Sequence, residues 1–572
     1  MPEDARTLSD AVLDVFRAYG AEYIFSSPGT EWSPVWDALA RAGAEGKGPC
    51  YFDARHEDLA VAIAKGYSRQ SQKLSIVLLH TVVGTLHAAM ALRSARIERA
   101  PMVVLAGDSA TLGEVAARDP GRQWARFHCD AGGSAAVAQP CVKRSTTVLS
   151  REVLLGTLQD ACRLALTPPS GPVFLSVPLE FLFGPAIAFD GRCTPPPLPT
   201  HADSATLDEV AGELVGAKRP VLLTEYAGDK PGAVEQLVKL AESLAMPVVE
   251  AADPVALNFP REHPLHLGYE AKRLVDEADL VLLLGCQQPW YPASKRPTDA
   301  KVILVDEDPG HELLSYWGIG VDQVVAGDLV NSLRGVNLCV EERLAALGGA
   351  DRARQDRQSS LRARHEQQQD ELRAQALAAA GRRPMQARWA AFNIGEVLPA
   401  DAIEVNETVT HKGLLLRNTK RNLAGTFHSP SRGGLGVGLG TALGAKVAAP
   451  DRLVLAMEGD GAFNYNPVLA AFGFAQQYKL PILVVIMNNQ GYAAMKQTHL
   501  EDFPDGWCAR TKTFFGADIA PEPDYTAIAR AFGGFGERVE DPQELRRALG
   551  QAIERAMSGQ LALLDLVVDP VR

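Results

Sequence analysis

The sequence has no CxxC pair, no basic stretch interleaved with aromatic residues and no apolar run long enough to span a bilayer. Its eight cysteines are scattered, without nearby histidines that would complete a zinc site, which favours reduced thiols. The longest apolar runs, such as PILVVIM at 481–487, have the length of a strand. The net charge of −12 argues against nucleic-acid binding, and the acidic start MPEDARTLSD leads us to expect no secretory signal. These absences predict a cytoplasmic protein without nucleic-acid or membrane partners.

The chain has 572 residues, which is long enough for several domains. Short β-branched runs alternate with Ala-rich or amphipathic stretches, a pattern typical of βαβ units and parallel sheets. A proline-rich stretch at 188–203 and a long charged stretch separate three such blocks. We therefore predict an α/β protein of three consecutive, doubly wound parallel-sheet domains at 1–187, 204–340 and 385–572, with a charged helical linker at 341–384.

Asp460 and Asn489 each stand at the end of a strand-like run, in GDGAFNYNPVLAAFGFAQQYKLPILVVIMNN. Taken singly, Asp-Gly and Asn-Gly pairs are ordinary turns. The segment between them reads as a helix (466–480) followed by a strand, so one βαβ crossover places both turns at the carboxyl edge of the sheet. A carboxylate, an amide oxygen and exposed glycine carbonyls form an all-oxygen set that suits Mg²⁺ carrying phosphates. The pair therefore predicts a metal that holds a diphosphate.

The GDG triplet, 26 intervening residues and the NN pair resemble the cofactor motif of thiamine-diphosphate-dependent enzymes. In length and domain order the whole chain resembles their benzoylformate decarboxylase and acetolactate synthase group. The resemblance implies thiamine diphosphate and Mg²⁺ as cofactors, with a pyrimidine-binding first domain and a diphosphate-binding third domain. It implies Asp460, Asn489 and the carbonyl of Gly491 as metal ligands, with Gly459 and Gly461 in the cofactor-binding turn.

One departure from the family pattern is Ala462, where many relatives have a serine that reaches the diphosphate. Another donor then has to serve that oxygen, and the candidates are the N–H of Phe463 and the side chain of Tyr492. The small-residue stretch SPSRGGLGVGLGTALGAK at 429–446 reads most simply as a tightly packed helix. The resemblance adds that the carbonyl of Gly433 contacts the exocyclic amine of the cofactor and that Leu435 supports its bent form.

Glu57 begins the helical stretch after CYFDARH, where a carboxylate alone reads as a residue that interacts with the helix dipole. The resemblance implies that Glu57 hydrogen-bonds the aminopyrimidine ring and so activates the cofactor. VLLHTVVGT places His80 at a strand end, where a histidine favours function over a core position. Benzoylformate decarboxylases have a proton-relaying histidine there and a serine, matched by Thr30, that contacts the substrate carboxylate. Acetolactate synthases have Gly-Pro-Gly at the position of His80.

The stretch NETVTHKG supplies His411 and Lys412 near another strand end, as catalytic candidates or as solvated residues of a helix start. His428 and His499 are weaker candidates of the same kind. The segment around Met495 is less aromatic than an aryl pocket requires, which favours a substrate smaller or more polar than benzoylformate.

The second block has no Gly-rich dinucleotide turn, so FAD is not supported. We predict a non-oxidative decarboxylase (a lyase) of a small-molecule 2-oxo acid, with carboligase side activity. The alternatives are an acetolactate synthase-like carboligase, another C–C lyase that uses the same cofactor, a flavin-linked oxidase, and a paralogue without catalysis. The resemblance implies at least a homodimer, and homotetramers are common in the family.

Overall fold

The first of three parallel sheets has the strand order β2-β1-β3-β4-β6-β5. The computed structural model describes residues 6–109, 111, 130–251, 253–311, 318–348, 351–430, 432 and 434–570. The strands of this sheet are β1 Tyr23–Ser27, β2 Cys50–Asp53, β3 Ser75–Leu79, β4 Met102–Asp108, β5 Arg144–Thr147 and β6 Pro172–Pro178. The helices described around it are α1 Leu8–Ala18, α2 Ser33–Ala44, α3 Glu57–Ser71, α4 Val82–Ile97, α5 Ser134–Ala138, α6 Arg151–Leu166 and α7 Leu179–Phe183. Strands β3, β4 and β6 are buried throughout, as expected for a parallel sheet covered on both faces.

The second sheet has five parallel strands in the order β11-β10-β9-β7-β8. Its strands are β7 Pro220–Thr224, β8 Val248–Glu250, β9 Leu280–Leu284, β10 Lys301–Asp306 and β11 Gln323–Ala326. The helices are α8 Ser204–Gly216, α9 Ala233–Leu244, α10 Lys272–Glu277, α11 Leu329–Leu347 and, within the charged stretch, α12 Arg352–Ala379. Helix α12 begins where the carboxylate of Asp351 accepts the N–H of Ala353 at 3.0 Å, a typical N-cap.

The third sheet has the strand order β13-β12-β14-β15-β17-β16, again all parallel. Its strands are β12 Ile403–Glu407, β13 Phe427–His428, β14 Val454–Gly459, β15 Leu483–Asn488, β16 Phe535–Val539 and β17 Ala562–Val567. The helices are α13 Ala387–Val397, α14 Lys412–Asn418, α15 Gly438–Ala448, α16 Asp460–Tyr465, α17 Val468–Tyr478, α18 Ala493–Asp502, α19 Trp507–Thr511, α20 Tyr525–Ala531 and α21 Leu545–Met557. The predicted fold class, three parallel-sheet α/β domains in series, is confirmed. Among the described residues, no helix has the length and apolarity needed to cross a membrane.

Helices α3 and α15 pack against each other with their backbones very close together, and this contact joins the first domain to the third. A Cβ built on Gly66 would lie 2.1 Å from the carbonyl oxygen of Thr441, and one on Gly444 would lie 2.0 Å from that of Ile63. Only glycine permits such an approach of two backbones. From Gly438 onward the small-residue stretch therefore forms a tightly packed helix, and its partner is the helix that starts at Glu57.

A buried ionic cluster holds the junction of the first and second domains. Glu98 is fully buried and accepts from Lys65 Nζ at 2.8 Å and from Arg69 Nη1 at 2.7 Å. The other end of the Arg69 guanidinium binds Asp229 at 2.6 Å. Lys65 has no second carboxylate partner among the described residues, so removing Glu98 leaves the Lys65 charge without a counter-ion in the interior, whereas Arg69 keeps Asp229.

We expect Glu98→Ala to lower the free energy of unfolding by about 3–5 kcal/mol, the usual effect of breaking one partner of a buried ion pair. The matched control is Asp276→Ala, which breaks an exposed pair with Lys272 and should change the free energy by about 1 kcal/mol or less. Urea unfolding followed by circular dichroism measures both. Equal effects of the two substitutions would contradict this account of the junction.

Candidate active site

The turns that carry Asp460 and Asn489 meet at the carboxyl edge of the third sheet. Strands β14 and β15 pair in parallel, with Gly459 opposite Met487. The N–H of Gly491 donates to Oδ2 of Asp460 at 2.8 Å, so the two turns are in direct contact. The crossover argument made from the sequence is therefore correct for these two turns.

The donor set at this edge fits a divalent cation. Asp460 is 2% exposed, and burial raises its pKa to about 6 although its carboxylate accepts the N–H groups of Gly461 and Gly491. Oδ1 of Asn489 is buried and has no hydrogen-bond partner among the described residues. A buried carboxylate beside an orphaned amide oxygen is stabilised by a hard cation such as Mg²⁺. The residues present thus fit the metal that the resemblance implies.

Two glycines of these turns are required by close contacts. A Cβ on Gly461 would lie 2.7 Å from the ring of Tyr492, and one on Gly491 would lie 2.5 Å from the carbonyl oxygen of Ala517. That same oxygen accepts the N–H of Tyr492 at 2.8 Å. Gly459 has open space around it, so packing within this chain does not require its lack of a side chain.

A cavity of about 220 Å³ opens over the two turns. Most of the residues predicted in the third domain lie on its wall: His411, Leu435, Gly459, Asp460, Gly461, Asn489, Gly491 and Tyr492. The side chain of Phe463 instead lies in the core, with its ring 5.3 Å from that of Tyr525. Gly433 lies outside the described residues.

The imidazole of His411 is buried in this wall, at the N-terminus of α14. Burial lowers the pKa of His411 to about 4, so the ring is neutral at neutral pH. Lys412 next to it forms an ion pair with Asp253 of the second domain. His411 can therefore offer a neutral hydrogen-bonding group to the cavity. Lys412 links the third domain to the second through its ion pair with Asp253.

The other two histidine candidates have partners elsewhere. His428 is buried and its Nε2 lies 2.7 Å from Oε1 of Gln70. His499 lies on α18, with its ring 5.3 Å from Phe503 and 5.9 Å from Phe514. Neither residue lines the cavity over Asp460.

His80 follows β3 and is held by an acidic partner. Its Nδ1 lies 2.7 Å from Oε1 of Glu31, which also accepts the N–H of Thr81 at 3.1 Å. The hydrogen bond to Glu31 raises the pKa of His80, with burial opposing it. A Cβ on Gly29 would lie 1.9 Å from Nδ1 of His80, so glycine at this turn makes the pair possible.

Glu57 and Thr30 lie on the same edge of the first sheet as His80. A Cβ on Gly84 would lie 3.1 Å from Cβ of His80 and 3.3 Å from Cγ of Glu57, which places these two side chains on either side of Gly84. Thr30 is exposed in a short 3₁₀ helix, Thr30–Trp32. None of Thr30, Glu57 and His80 lines the cavity over Asp460. Within one chain, the described wall of this cavity is therefore formed without the candidates of the first domain.

Sequence reasoning missed Glu31 as the partner of His80. Glu31 directly follows Thr30 in the stretch SSPGTE at 26–31, and a histidine at a strand end needs an acceptor for its second nitrogen. Unlike the exposed Thr30 beside it, Glu31 is buried.

Sequence reasoning also missed a buried carboxyl pair behind the cavity. Glu407 accepts the N–H groups of Val437 and Gly438, at 3.1 and 3.0 Å, and the amide of Asn466 at 2.8 Å. Glu458, on the neighbouring strand, is fully buried; burial and the adjacent Glu407 raise its pKa well above the usual range. The protonated Glu458 can then donate to Glu407, and the pair joins the start of α15 to the strand that ends beside Asp460.

Three domain models of the thiamine pyrophosphate enzymes match this chain: the N-terminal TPP binding domain over residues 6–123, the central domain over 207–334 and the C-terminal TPP binding domain over 409–566. The chain therefore belongs to the thiamine pyrophosphate enzymes, whose cofactor is thiamine diphosphate.

Within that family the chain is similar to enzymes of different activities. It is 27% identical to benzoylformate decarboxylase of Pseudomonas aeruginosa, over 96% of this chain and 97% of the relative. It is 26% identical to the acetolactate synthase isozyme 3 large subunit of Escherichia coli, over 96% and 92%. The structure of a thiamine diphosphate-dependent 4-hydroxybenzoylformate decarboxylase from Rhodococcus jostii matches with a TM-score of 0.80 at 24% identity, covering 99% of each chain.

Proposed function

We propose that this thiamine-diphosphate enzyme is a Mg²⁺-dependent, non-oxidative decarboxylase of a 2-oxo acid. Asp460, Asn489 and the carbonyl of Gly491 would hold Mg²⁺, and the metal would hold the diphosphate. When bound, the cofactor supplies the carbanion chemistry by which a 2-oxo acid loses carbon dioxide. The observation that carries the choice of a decarboxylase is the hydrogen-bonded pair of His80 and Glu31.

His80 favours decarboxylation because that reaction ends with protonation of the carbon that has lost carbon dioxide. The hydrogen bond that His80 donates to Glu31 raises the pKa of His80, so the ring stays protonated at higher pH than an ordinary histidine. Gly84 lets His80 and Glu57 approach each other, so a proton donor stands beside the carboxylate that activates the cofactor. In a carboligase, a second carbonyl compound has to occupy the position of the proton donor and react with the same carbon.

We expect Glu31→Gln to move the alkaline limb of the pH–rate profile to lower pH. His80 must be protonated to act as a donor, so activity falls as pH rises through its pKa. Because the hydrogen bond to the Glu31 carboxylate and its charge raise that pKa, replacing the carboxylate by a neutral amide lowers it, and activity then falls at a lower pH. Steady-state rates against pH measure the shift, and NMR titration of the His80 ring checks the cause. An unchanged alkaline limb would count against His80 as the proton donor.

We propose that the active site forms between two chains. Support comes from the cavity that Asp460 lines, because its described wall within one chain includes neither Glu57 nor His80. Glu57 would come from one chain and Asp460 from its partner, so a homodimer is the smallest active unit. In the proposed site Glu57 protonates the pyrimidine, Thr30 binds the substrate carboxylate and neutral His411 contacts the substrate.

Mixed dimers test this arrangement. A random mixture of Glu57→Gln and Asp460→Asn chains, each inactive alone, should regain about a quarter of the wild-type activity, since half of the twofold dimers are mixed and each has one intact site. The matched control pairs Asp460→Asn with Asn489→Ala, both in the third domain, and should regain nothing. Failure of the first mixture to regain activity would contradict a site shared between chains.

The wall of the cavity supports a substrate with an uncharged side chain. Val409 and Met495 are 55% and 54% exposed beside Leu435, and apolar exposure of this kind next to a cavity is typical of a binding surface. The only titratable imidazole on this described wall, His411, is neutral.

Product analysis tests the proposed function. Purified protein with thiamine diphosphate and Mg²⁺ is given pyruvate, branched-chain 2-oxo acids, phenylpyruvate and benzoylformate, with and without added aldehyde, and the products are identified by NMR. We expect free aldehyde from one acid. Acyloin or acetolactate as the main product would move the assignment to the second candidate, a carboligase, which the similarity to acetolactate synthase favours.

A further inference from the structure

Two histidines beside Glu57 have no part in the proposed reaction. His56 occupies the N-cap position of helix α3 without a capping side-chain hydrogen bond, and His87 lies on helix α4. Nδ1 of His87 lies 3.3 Å from Oε2 of Glu57, and the two imidazole rings stack with their centroids 5.6 Å apart. One ligand atom from each of His56, Glu57 and His87 lies within 4.8 Å of the other two.

One of the ligand atoms of this triad has no other partner and can bind a cation. Nδ1 of His56 is buried and has no hydrogen-bond partner among the described residues. A buried nitrogen without a partner costs free energy, and a metal bond removes that cost.

The two helices that carry the triad are fixed to each other. Oδ1 of Asp58 accepts the N–H of Ala91 at 2.9 Å, and Lys65 Nζ donates to Ser94 Oγ at 2.8 Å. Ligands on a tetrahedral zinc ion stand about 3.4 Å apart at bond lengths of about 2.1 Å, so closing the triad takes a movement of about 1.4 Å or less. The side chain of His87 is 64% exposed and is free to make it.

We propose that His56, Glu57 and His87 bind a transition-metal cation of the zinc class and that this metal withholds Glu57 from the cofactor. Two histidines and one glutamate, with an open fourth position, are a ligand set that zinc uses in enzymes. Imidazole nitrogens favour Zn²⁺, Co²⁺ and Ni²⁺, whereas Mg²⁺ takes oxygen ligands. On this proposal the protein has two sites for different metals: the site of Asp460 binds Mg²⁺, and the site of Glu57 binds a cation of the zinc class. Metal binding stands independently; inhibition rests on the proposed function.

Titration of metal-free full-length protein with Co²⁺, without thiamine diphosphate, tests binding. We expect one Co²⁺ per chain with the strong visible absorption of tetrahedral cobalt. His87→Asn should remove the absorption and weaken binding by about 10-fold or more. Asp460→Asn is the matched control and should leave the absorption unchanged. Equal titrations of wild type and His87→Asn, or loss of the absorption in Asp460→Asn, would overturn the site.

The inhibitory effect is tested with Zn²⁺ at a fixed excess of Mg²⁺. We expect inhibition that higher concentrations of thiamine diphosphate relieve, and a higher half-inhibitory Zn²⁺ concentration for His87→Asn than for wild type. Inhibition that is equal in both proteins would overturn the link to Glu57. If no 2-oxo acid is turned over, the proposed function fails, while the Co²⁺ titration still decides the metal site.

Discussion

Replacing Asp460 by asparagine should weaken the binding of thiamine diphosphate in Mg²⁺ by more than about 100-fold, because loss of outer-shell partners alone costs about 10- to 100-fold. The carboxylate is the only charged group that the two meeting turns offer on the described wall of the cavity. Without its charge, the amide oxygen of Asn489 and the carbonyl of Gly491 are too few ligands for the metal. Isothermal titration with the cofactor at several Mg²⁺ concentrations measures the loss.

The matched control for this prediction is Asp451→Asn, an exposed aspartate of the same domain. It should bind the cofactor as the wild type does. If Asp460→Asn also binds the cofactor with wild-type affinity and the same dependence on Mg²⁺, the metal lies elsewhere and the assignment of these turns is wrong.

Glu57→Gln should keep most of the affinity for the cofactor and lose about 10²- to 10⁴-fold in turnover, the usual contribution of one positioned acid–base group. Glutamine fills the same space at the start of α3 but cannot give a proton to the pyrimidine ring. Two measurements separate these effects: cofactor binding by isothermal titration, and exchange of the thiazolium C2 proton for deuterium by quenched NMR.

The control for Glu57→Gln is Glu45→Gln, which changes an exposed carboxylate of the first domain. Both measured quantities should stay at the wild-type level. Normal proton exchange in Glu57→Gln would show that Glu57 does not activate the cofactor. Weaker cofactor binding with normal exchange would show that Glu57 contributes only to binding.

The interior strands could be predicted from the sequence because they are short apolar runs between polar turns. YIFSS, LVLLL and ALLDLV, which form β1, β9 and β17, are runs of this kind. Three short strands escaped prediction: Arg144–Thr147, Phe427–His428 and Phe535–Val539. All three are at sheet edges, and two of them are partly exposed with polar residues, so they lack the apolar run that identifies an interior strand.

The candidate site could be predicted wherever local sequence determines position. A βαβ crossover alone brings Asp460 to Gly491, and a strand end alone exposes His80. What could not be predicted depends on contacts between distant segments. Glu407 and Glu458 each end a strand-like run, and only the pairing of β12 with β14 places them opposite each other, where burial and Glu407 raise the pKa of Glu458.

The most direct test of the central claim is the fate of the carbon that loses carbon dioxide. The accepted 2-oxo acid, labelled with ¹³C at C2, is turned over in D₂O, and the products are followed by NMR. We predict aldehyde with one deuterium at C1 as the main product, formed at a rate that falls in Glu57→Gln and His80→Ala. A main product in which C2 carries a new carbon–carbon bond, with no deuterated aldehyde, would contradict the assignment as a decarboxylase.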